Sequence, residues 1–244
     1  MMTVSEAIEH ANNGNTEAMF QLGRYYWSEE KDYQEAQKWY LMGAEAGDPR
    51  CMDLAASNGV ILANVTRKLG GDFVADCVRD LEVCLSWAEK ARANGLECDS
   101  TEIENELGIC SYLAFVHERD KMEYLYKAEE ALKANHPAKD AETRMYLAFT
   151  LRDKGGLQKG LNDEDAFLLL NLLKDCALNH RTELYHGDIV CYYLGEAYLE
   201  GQGCQRDDNL AYQWMSTAQE MGFNCREILS RFKKKLFGGY VFQW

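Results

Sequence analysis

The chain has 244 residues, a net charge of −14 and a hydrophobic content of 47%, and these values exclude several classes of protein. The apolar fraction is large enough for a sizeable core and argues against disorder. The acidic balance disfavours nucleic acid as a partner, because phosphates require a basic surface. No apolar run is long enough to cross a bilayer, so no membrane partner is expected.

The N-terminus and the cysteines indicate a cytoplasmic protein. Residues 1–6 lack the basic stretch and the apolar run of a signal peptide. The nine cysteines show no regular pairing along the chain. We therefore expect reduced and mostly buried thiols.

The first predicted element is a pair of helices near the N-terminus. Ala18, Leu22 and Tyr26 are spaced by four residues and form one apolar stripe of a helix. A second stripe follows, in which Ala36 and Trp39 are spaced by three. The two stripes predict helices that pack against each other.

Glycines inside this pair have a predicted packing role. Gly23 and Gly43 lie on the two apolar stripes, where the absence of a side chain lets a large ring from the neighbouring helix insert. A helical glycine costs about 1 kcal/mol relative to alanine, so close packing should offset that cost. Gly47 is predicted to end the second helix in a left-handed conformation.

The middle of the chain contains weaker copies of the same pattern. Residues 54–55, 107–108 and 147–148 each open a further copy. The second copy is predicted to be interrupted by an irregular insertion around residues 59–80.

The clearest counterpart of the first pair lies near the C-terminus. Leu194, Gly195 and Tyr198 repeat the first stripe, and Ala211 and Trp214 repeat the second stripe in the same order. One helix pair cannot bury both of its faces, whereas stacked pairs can. The repetition therefore predicts an array of helix pairs.

The end of the chain is predicted to close the array. Leu229, Phe232 and Leu236 have helical spacing and predict a capping helix, followed by an aromatic tail. We therefore divide the chain into a repeat array over residues 1–222 and a capping segment over residues 223–244. A docking peptide or a dimer contact is the alternative function of this tail.

These motifs resemble the Sel-one-like repeat (SLR), a subclass of the tetratricopeptide superfamily. The likeness is strong over residues 16–49 and 187–222 and faint over residues 50–180. Residues 27–31 depart from the pattern, because they replace the usual Gly-x-Gly turn. The resemblance implies an all-α, right-handed superhelix (a solenoid) of about five helix pairs, with a concave groove and a role as adaptor or scaffold.

The resemblance also indicates which residues line the groove. In tetratricopeptide-like arrays, three positions of the first helix face the groove. They are counted from the leucine that opens each copy, such as Leu22 or Leu194, and lie two residues before it, two residues after it and five residues after it. The alternative is that these side chains only pack against the adjacent repeat. The groove candidates are Phe20, Arg24, Trp27, Asn105, Met145, Arg152, Tyr192, Glu196 and Leu199.

One cluster has residue types that could bind a metal. Cys176, His180, His186 and Cys191 lie close in sequence, but they lack the paired spacings of known zinc sites. The chain also lacks the glycine-rich nucleotide motifs and the hydrolase nucleophile motif. We therefore expect no catalytic residue, no metal and no cofactor, and we keep a Cys/His metal protein or enzyme as the third alternative.

The sequence favours one function and leaves a second one open. The first is an adaptor that binds a peptide or protein surface in its groove. The second is an acidic inhibitor or immunity-type protein that blocks a basic toxin or nuclease. The partner in either case is a protein or peptide, and the net charge of −14 leaves a basic partner open.

Overall fold

The computed structural model describes residues 2–69, 73–236 and 238–244. These residues are helical except for the turns and a short C-terminal hairpin, which confirms the predicted all-α repeat class. No helix in the described ranges is both long enough and apolar enough to span a bilayer.

The helices follow one another as consecutive pairs, preceded by one helix and followed by another. They are α1 Val4–Asn12, α2 Thr16–Tyr25, α3 Tyr33–Glu45, α4 Pro49–Leu69, α5 Val74–Ala93, α6 Thr101–His117, α7 Met122–Ala134, α8 Ala141–Gln158, α9 Asp163–Asp175, α10 Gly187–Glu200, α11 Asp208–Met221 and α12 Arg226–Ser230. Single π-helical turns extend α2 over Tyr26–Glu30 and α9 over Cys176–His180. Two strands, β1 Phe232–Lys234 and β2 Tyr240–Phe242, complete the described elements.

The chain forms two compact units, residues 1–131 and residues 132–244. In the first unit, each of the helices from α1 to α5 packs against the next one, so that the series ends at α6. Asn15 and Asp32 accept hydrogen bonds from the backbone at the starts of α2 and α3, so both helices begin at a side-chain cap. Gly47 follows α3 with a φ of +92°, as expected for a residue that ends a helix.

The glycines on the apolar stripes allow the helices to approach closely. A Cβ on Gly23 would overlap the ring of Tyr40, so a large ring inserts there as predicted. Gly43 instead accommodates the thiol of Cys51, which corrects the prediction of a ring at that position. Gly195, the counterpart of Gly23, makes room for Met215.

The predicted insertion around residues 59–80 is wrong for the described part of that segment. Residues 59–69 continue α4, and residues 74–80 begin α5, while residues 70–72 lie outside the described residues. Ala63 and Val78 are buried in one apolar cluster, because both helices turn an apolar face to the core. The segment is therefore two ordinary helices of the repeat pattern.

The second unit repeats the same construction. Its helix α8 packs on α9, α9 packs on α10, and α10 packs on α11. The turn before α11 contains Gly201 and Gly203 at φ values of +76° and +68°. A Cβ on Gly203 would overlap the carbonyl of Ala166, so this turn requires glycine both for its backbone angle and for space.

The C-terminal segment differs from its prediction. The helix α12 ends at Ser230, and Phe232 and Leu236 do not continue it, so the longer capping helix is wrong. Instead β1 and β2 pair antiparallel, with Phe232 opposite Phe242. Gly238 and Gly239 have φ values of +90° and +79°, which permits the tight turn between the strands. Phe237 lies outside the described residues.

The hairpin β1–β2 packs on the last helix of the array. The backbone N–H of Phe242 donates to Asp208 Oδ2 at 2.9 Å, and that of Tyr240 donates to Asn209 Oδ1 at 2.6 Å. The rings of Tyr240 and Tyr212 are stacked with their centroids 3.6 Å apart. These contacts with α11 hold the segment as a hairpin, because they satisfy backbone donors that a helix would have used internally.

Candidate partner-binding pocket

The first unit contains an open pocket of about 490 Å³. It lies between α2 and α4, the first helices of the first two pairs, with α3 beneath it. Three of the nine predicted groove residues line it. The residues that line it include Phe20, Arg24, Trp27, Tyr40, Arg50, Asp53, Leu54, Asn58, Ile61 and Leu96.

Tyr40 forms part of the floor of this pocket. Its side chain is only 2% exposed and occupies the space that Gly23 leaves open. Burial raises the pKa of its phenol to about 12, because the phenolate would lose its hydration. The phenol of Tyr40 is therefore neutral at physiological pH, and its ring is a fixed part of the pocket floor.

One wall of the pocket is an aromatic ring covered by a fixed arginine. The guanidinium of Arg50 lies 4.3 Å from the ring centroid of Phe20, at the distance of a cation–π contact. Arg50 is also bonded to Asp48 at 2.7 Å and to Glu17 at 2.9 Å. Its hydrogen bonds hold the pKa of the Asp48 carboxyl below the usual range. The position of Arg50 is therefore set before any partner binds.

The rim of the pocket carries an exposed tryptophan. Trp27 is 41% exposed and lies in the π-helical turn that follows α2. Its ring packs edge-on against Tyr33 with centroids 6.1 Å apart, and the ammonium of Lys31 lies 5.6 Å from its centroid. Arg24 beside it is exposed and forms no ion pair within the described residues. Trp27 is thus oriented by neighbours and still accessible.

An asparagine at the pocket wall has an unused hydrogen-bond acceptor. Asn58 is 2% exposed, and its Nδ2 donates to the Tyr33 carbonyl and to Gln37 Oε1, both at 2.8 Å. Its Oδ1 is buried and has no partner. Such a group is costly to leave unsatisfied.

Sequence reasoning missed the contribution of α4 to this pocket. Leu54, Asn58 and Ile61 lie on α4, where the sequence pattern opens the second copy but predicts an irregular insertion from about residue 59. The offsets that selected Phe20 and Trp27 give Met52, Ala56 and Gly59 when they are counted from Leu54. None of these three residues lines the pocket, so the offset rule does not find the contribution of α4.

The remaining groove candidates lie outside this pocket. Asn105 on α6 is half-buried, and its Oδ1 is buried without a partner. In the second unit, Arg152 binds Glu196 at 3.1 Å, and its guanidinium lies 4.3 Å from the ring centroid of Tyr193. The ring of Tyr192 packs on Phe223 with centroids 4.6 Å apart.

Two of the groove candidates are core residues. Met145 is 1% exposed and Leu199 is 4% exposed, so neither side chain is accessible to a partner. The prediction that they line a groove is corrected accordingly. Their helices α8 and α10 are each buried around most of their circumference, and a fixed offset from one leucine cannot distinguish an open face from a covered one.

The possible metal ligands are held apart by other contacts. Cys176 and Cys191 are fully buried, and their thiols lie nearest to the Ala141 carbonyl and to the Met221 sulfur. His180 contacts Glu183 and Arg144. Across residues 2–69, 73–236 and 238–244, no three His, Cys, Asp or Glu side chains are grouped so as to hold a metal ion.

The first unit has a second, smaller pocket of about 340 Å³ between α3, α4 and α5. Its charged lining residues are Asp76 and Asp80, and its apolar walls include Trp87 and the exposed residues Phe73 and Val83. Asp76 pairs with Arg79, whereas Asp80 makes no ion pair in the described parts of the chain. This pocket is therefore apolar with an acidic edge.

Comparison with protein families identifies three segments of the chain. The model of the Sel1 repeat matches residues 16–48, 69–96 and 189–223. The first and last segments coincide with the two copies that are clearest in the sequence. The middle segment covers α5, whose pattern was only partly recognised. No functionally curated protein matches the chain significantly.

Several solved structures are similar to this chain at low sequence identity. They include c5321, a protective antigen of uropathogenic Escherichia coli with an SLR fold (21% identity, TM-score 0.44), and Sel1 repeat proteins from Oxalobacter formigenes (19%, 0.44) and Klebsiella pneumoniae (18%, 0.31). The matches cover 91%, 93% and 93% of this chain and 41%, 57% and 98% of the respective structures. The chain spans about half the length of the first two of these structures.

Proposed function

Because this chain is a Sel1-repeat protein, we propose that it is a protein-interaction module that binds a peptide or protein segment in the pocket lined by Phe20, Arg24 and Trp27. The chain then works as an adaptor or scaffold, without catalysis. Its nine cysteines are free thiols in the structure, which supports a reducing, cytoplasmic setting.

One observation carries this proposal. Trp27 and Phe20 present aromatic surface in a pocket between the first helices of successive repeats, beside a guanidinium that is already fixed. Tryptophan and arginine are the residues most enriched at the centres of protein interfaces. A preorganised site of this kind loses little conformational freedom on binding.

The pocket also indicates the form of the ligand. Leu54, Ile61 and Leu96 provide aliphatic surface. An extended peptide could place an apolar side chain against these three residues. Arg24 is free of ion pairs in the described chain and could bind a neighbouring carbonyl or carboxylate.

Selection from a random peptide library tests the proposal. Peptides selected on the wild-type protein should bind Trp27→Ala at least about tenfold more weakly, because an interface tryptophan commonly contributes that much. Phe167→Ala is the matched control, since Phe167 is a 60% exposed ring on α9 outside the pocket. Selected peptides that bind both variants as tightly as the wild type would contradict the proposed site.

The second pocket favours an alternative function. A net charge of −14 and an apolar pocket edged by Asp76 and Asp80 fit a protein that occupies a basic surface, as an inhibitor or immunity-type protein would. Association with such a partner should be fast and should slow steeply with added salt, whereas peptide binding in the Trp27 pocket should be salt-tolerant. Stopped-flow association rates measured at low and high salt distinguish the two functions.

A further inference from the structure

Two cysteines on consecutive helices of the first unit contact each other through their thiols. Cys77 lies on α5 and Cys110 lies on α6, and both are buried in the same apolar cluster. Their side chains are hydrogen-bonded to each other. Both thiols are free in the structure, so the contact brings together two reduced sulfur atoms that are not covalently joined.

Other buried thiols of this chain have different neighbours. The thiols of Cys84 and Cys176 lie against backbone carbonyls, and the thiol of Cys191 lies against a methionine sulfur. Buried cysteine is common in protein cores and needs no redox role. A disulfide requires two cysteines whose side chains face each other, and the contact between Cys77 and Cys110 meets that requirement.

The second pocket gives access to one member of this pair. Cys77 lines the cavity of about 340 Å³, although the residue is only 4% exposed, whereas Cys110 is fully buried and is not a lining residue. The charged lining residues are Asp76 and Asp80, and their carboxylates disfavour an anionic oxidant such as glutathione disulfide. Hydrogen peroxide is small and neutral, so it fits this cavity and meets Cys77 first.

The two thiols differ in their tendency to ionise. The hydrogen bond from Cys110 lowers the pKa of the Cys77 thiol, because it stabilises the thiolate more than burial disfavours it. The same hydrogen bond, together with burial, raises the pKa of the Cys110 thiol, which therefore keeps its proton. Because the thiolate is the nucleophilic form of cysteine, Cys77 is the reactive thiol and Cys110 is placed to resolve its oxidised form.

We propose that Cys77 and Cys110 form a peroxide-sensitive dithiol site, at which oxidation joins α5 to α6 by a reversible disulfide. The Cys77 thiolate attacks hydrogen peroxide: an S–O bond forms, the O–O bond breaks, and the leaving hydroxide takes up the proton that Cys77 released. Cys110 Sγ then attacks Cys77 Sγ, so that the S–S bond forms, the S–O bond breaks, and hydroxide leaves as water with the Cys110 proton. Two thiols and one peroxide thus give one disulfide and two waters, and the two electrons pass from sulfur to oxygen.

The disulfide connects two successive helix pairs. The helix α5 is the second of its pair, and α6 begins the next pair. A cross-link between them restricts the unfolded chain and so stabilises the folded one. In reducing compartments such bonds are transient and commonly sense the redox state, which agrees with the free thiols of this structure. This inference does not depend on the proposed peptide binding.

Peptide mapping after peroxide treatment tests the proposal with the full chain. Reduced protein is exposed to hydrogen peroxide for increasing times, the remaining thiols are alkylated, and disulfides are located by tandem mass spectrometry. A disulfide between Cys77 and Cys110 should form before the half-buried Cys204 is oxidised, although accessibility alone predicts the opposite order. Burial raises the pKa of the Cys204 thiol, which makes it the control for an accessible but less ionised cysteine. Dithiothreitol should restore both thiols of the pair.

Two substitutions at position 110 separate the roles of that cysteine. Cys110→Ser keeps a hydrogen-bond donor but cannot form the disulfide, so the sulfenic acid of Cys77 should accumulate and be trapped by dimedone. Cys110→Ala also removes the donor, and oxidation of Cys77 should slow about threefold for each unit by which its pKa rises, since a tenfold smaller thiolate fraction is partly offset by higher nucleophilicity. Cys84→Ala removes another thiol from the same pocket and should leave disulfide formation unchanged.

Several results would overturn the proposal. Oxidation of Cys204 while Cys77 and Cys110 remain reduced would contradict it, and so would a disulfide between Cys77 and any other cysteine, within one chain or between two chains. Equal rates of Cys77 oxidation in Cys110→Ser and Cys110→Ala would refute the activating hydrogen bond. Circular dichroism melting curves verify that each variant is folded, and the mapping of the wild-type protein does not depend on the variants.

Discussion

Substitution of Gly23 by alanine provides a sharp test of how the repeats pack. A Cβ at this position would overlap Cδ1 and Cε1 of the Tyr40 ring and lie 2.9 Å from its Cζ. Tyr40 is 2% exposed, so the ring has little free space into which it can move. Either the ring must leave its position or α2 and α3 must separate.

The magnitude follows from two opposing effects. Alanine favours a helix over glycine by about 1 kcal/mol, and overpacking a filled core costs about 1–3 kcal/mol or more. Because three atoms of a buried ring are affected, we expect the cost to lie at the upper end of that range. Gly23→Ala should therefore lower the free energy of unfolding by about 2 kcal/mol.

Gly156→Ala is the control for this substitution. Gly156 is an exposed helical residue of α8, and a Cβ there would meet no atom within 4 Å. The alanine should raise the free energy of unfolding by about 1 kcal/mol, since only the propensity effect remains. Urea unfolding followed by circular dichroism measures both variants. If Gly23→Ala proved as stable as the wild type or more stable, the close contact between α2 and α3 would be refuted.

Three further predictions concern other parts of the molecule. Trp39→Ala should destabilise the protein by about 3–5 kcal/mol as a core truncation, whereas Trp27→Ala should leave urea stability within about 0.5 kcal/mol; the reverse result would mean that the helix faces are misassigned. Arg67 and Glu106 form a buried ion pair at 2.6 Å, so Glu106→Gln should cost about 3–5 kcal/mol in the same assay, because it removes the carboxylate charge from a buried pair. Burial lowers the pKa of His186 from 6.5, so the unfolded chain binds more protons below that pH and stability should fall as the pH drops from about 6.5 through the folded pKa. His186→Gln should reduce that fall between about pH 7.5 and pH 5.5, and an unchanged pH dependence would rule out His186 as its source.

The sequence predicted a helix correctly wherever the residues on one face of that helix were enough to define its packing against the next helix. The stripes Ala18–Leu22–Tyr26 and Ala36–Trp39 gave α2 and α3, and the matching residues near the C-terminus gave α10 and α11. The stop at Gly47 was also predictable, because a left-handed residue after a helix strongly favours glycine.

Prediction failed where the periodic pattern was ambiguous. Residues 59–69 were interpreted as an irregular insertion although they continue α4, since their apolar face is completed only by α5 and α6. Met145 and Leu199 were placed in a groove, yet both are buried, because their helices are covered on several sides. Leu229, Phe232 and Leu236 have helical spacing, but the glycine turn and the side chains of α11 stabilise a hairpin instead.

By itself, the sequence determined the repeat class, the pairing of helices and the glycines at their crossings, because these depend on residues within one or two turns of each other. Only the tertiary structure decided which faces remain open. Three of the predicted groove residues share a pocket with Leu54, Asn58 and Ile61 of the next repeat, since a pocket requires a wall from a second helix. The fixed position of Arg50 likewise depends on Glu17, which is 33 residues away in sequence and reaches it only when the fold brings the starts of α2 and α4 together.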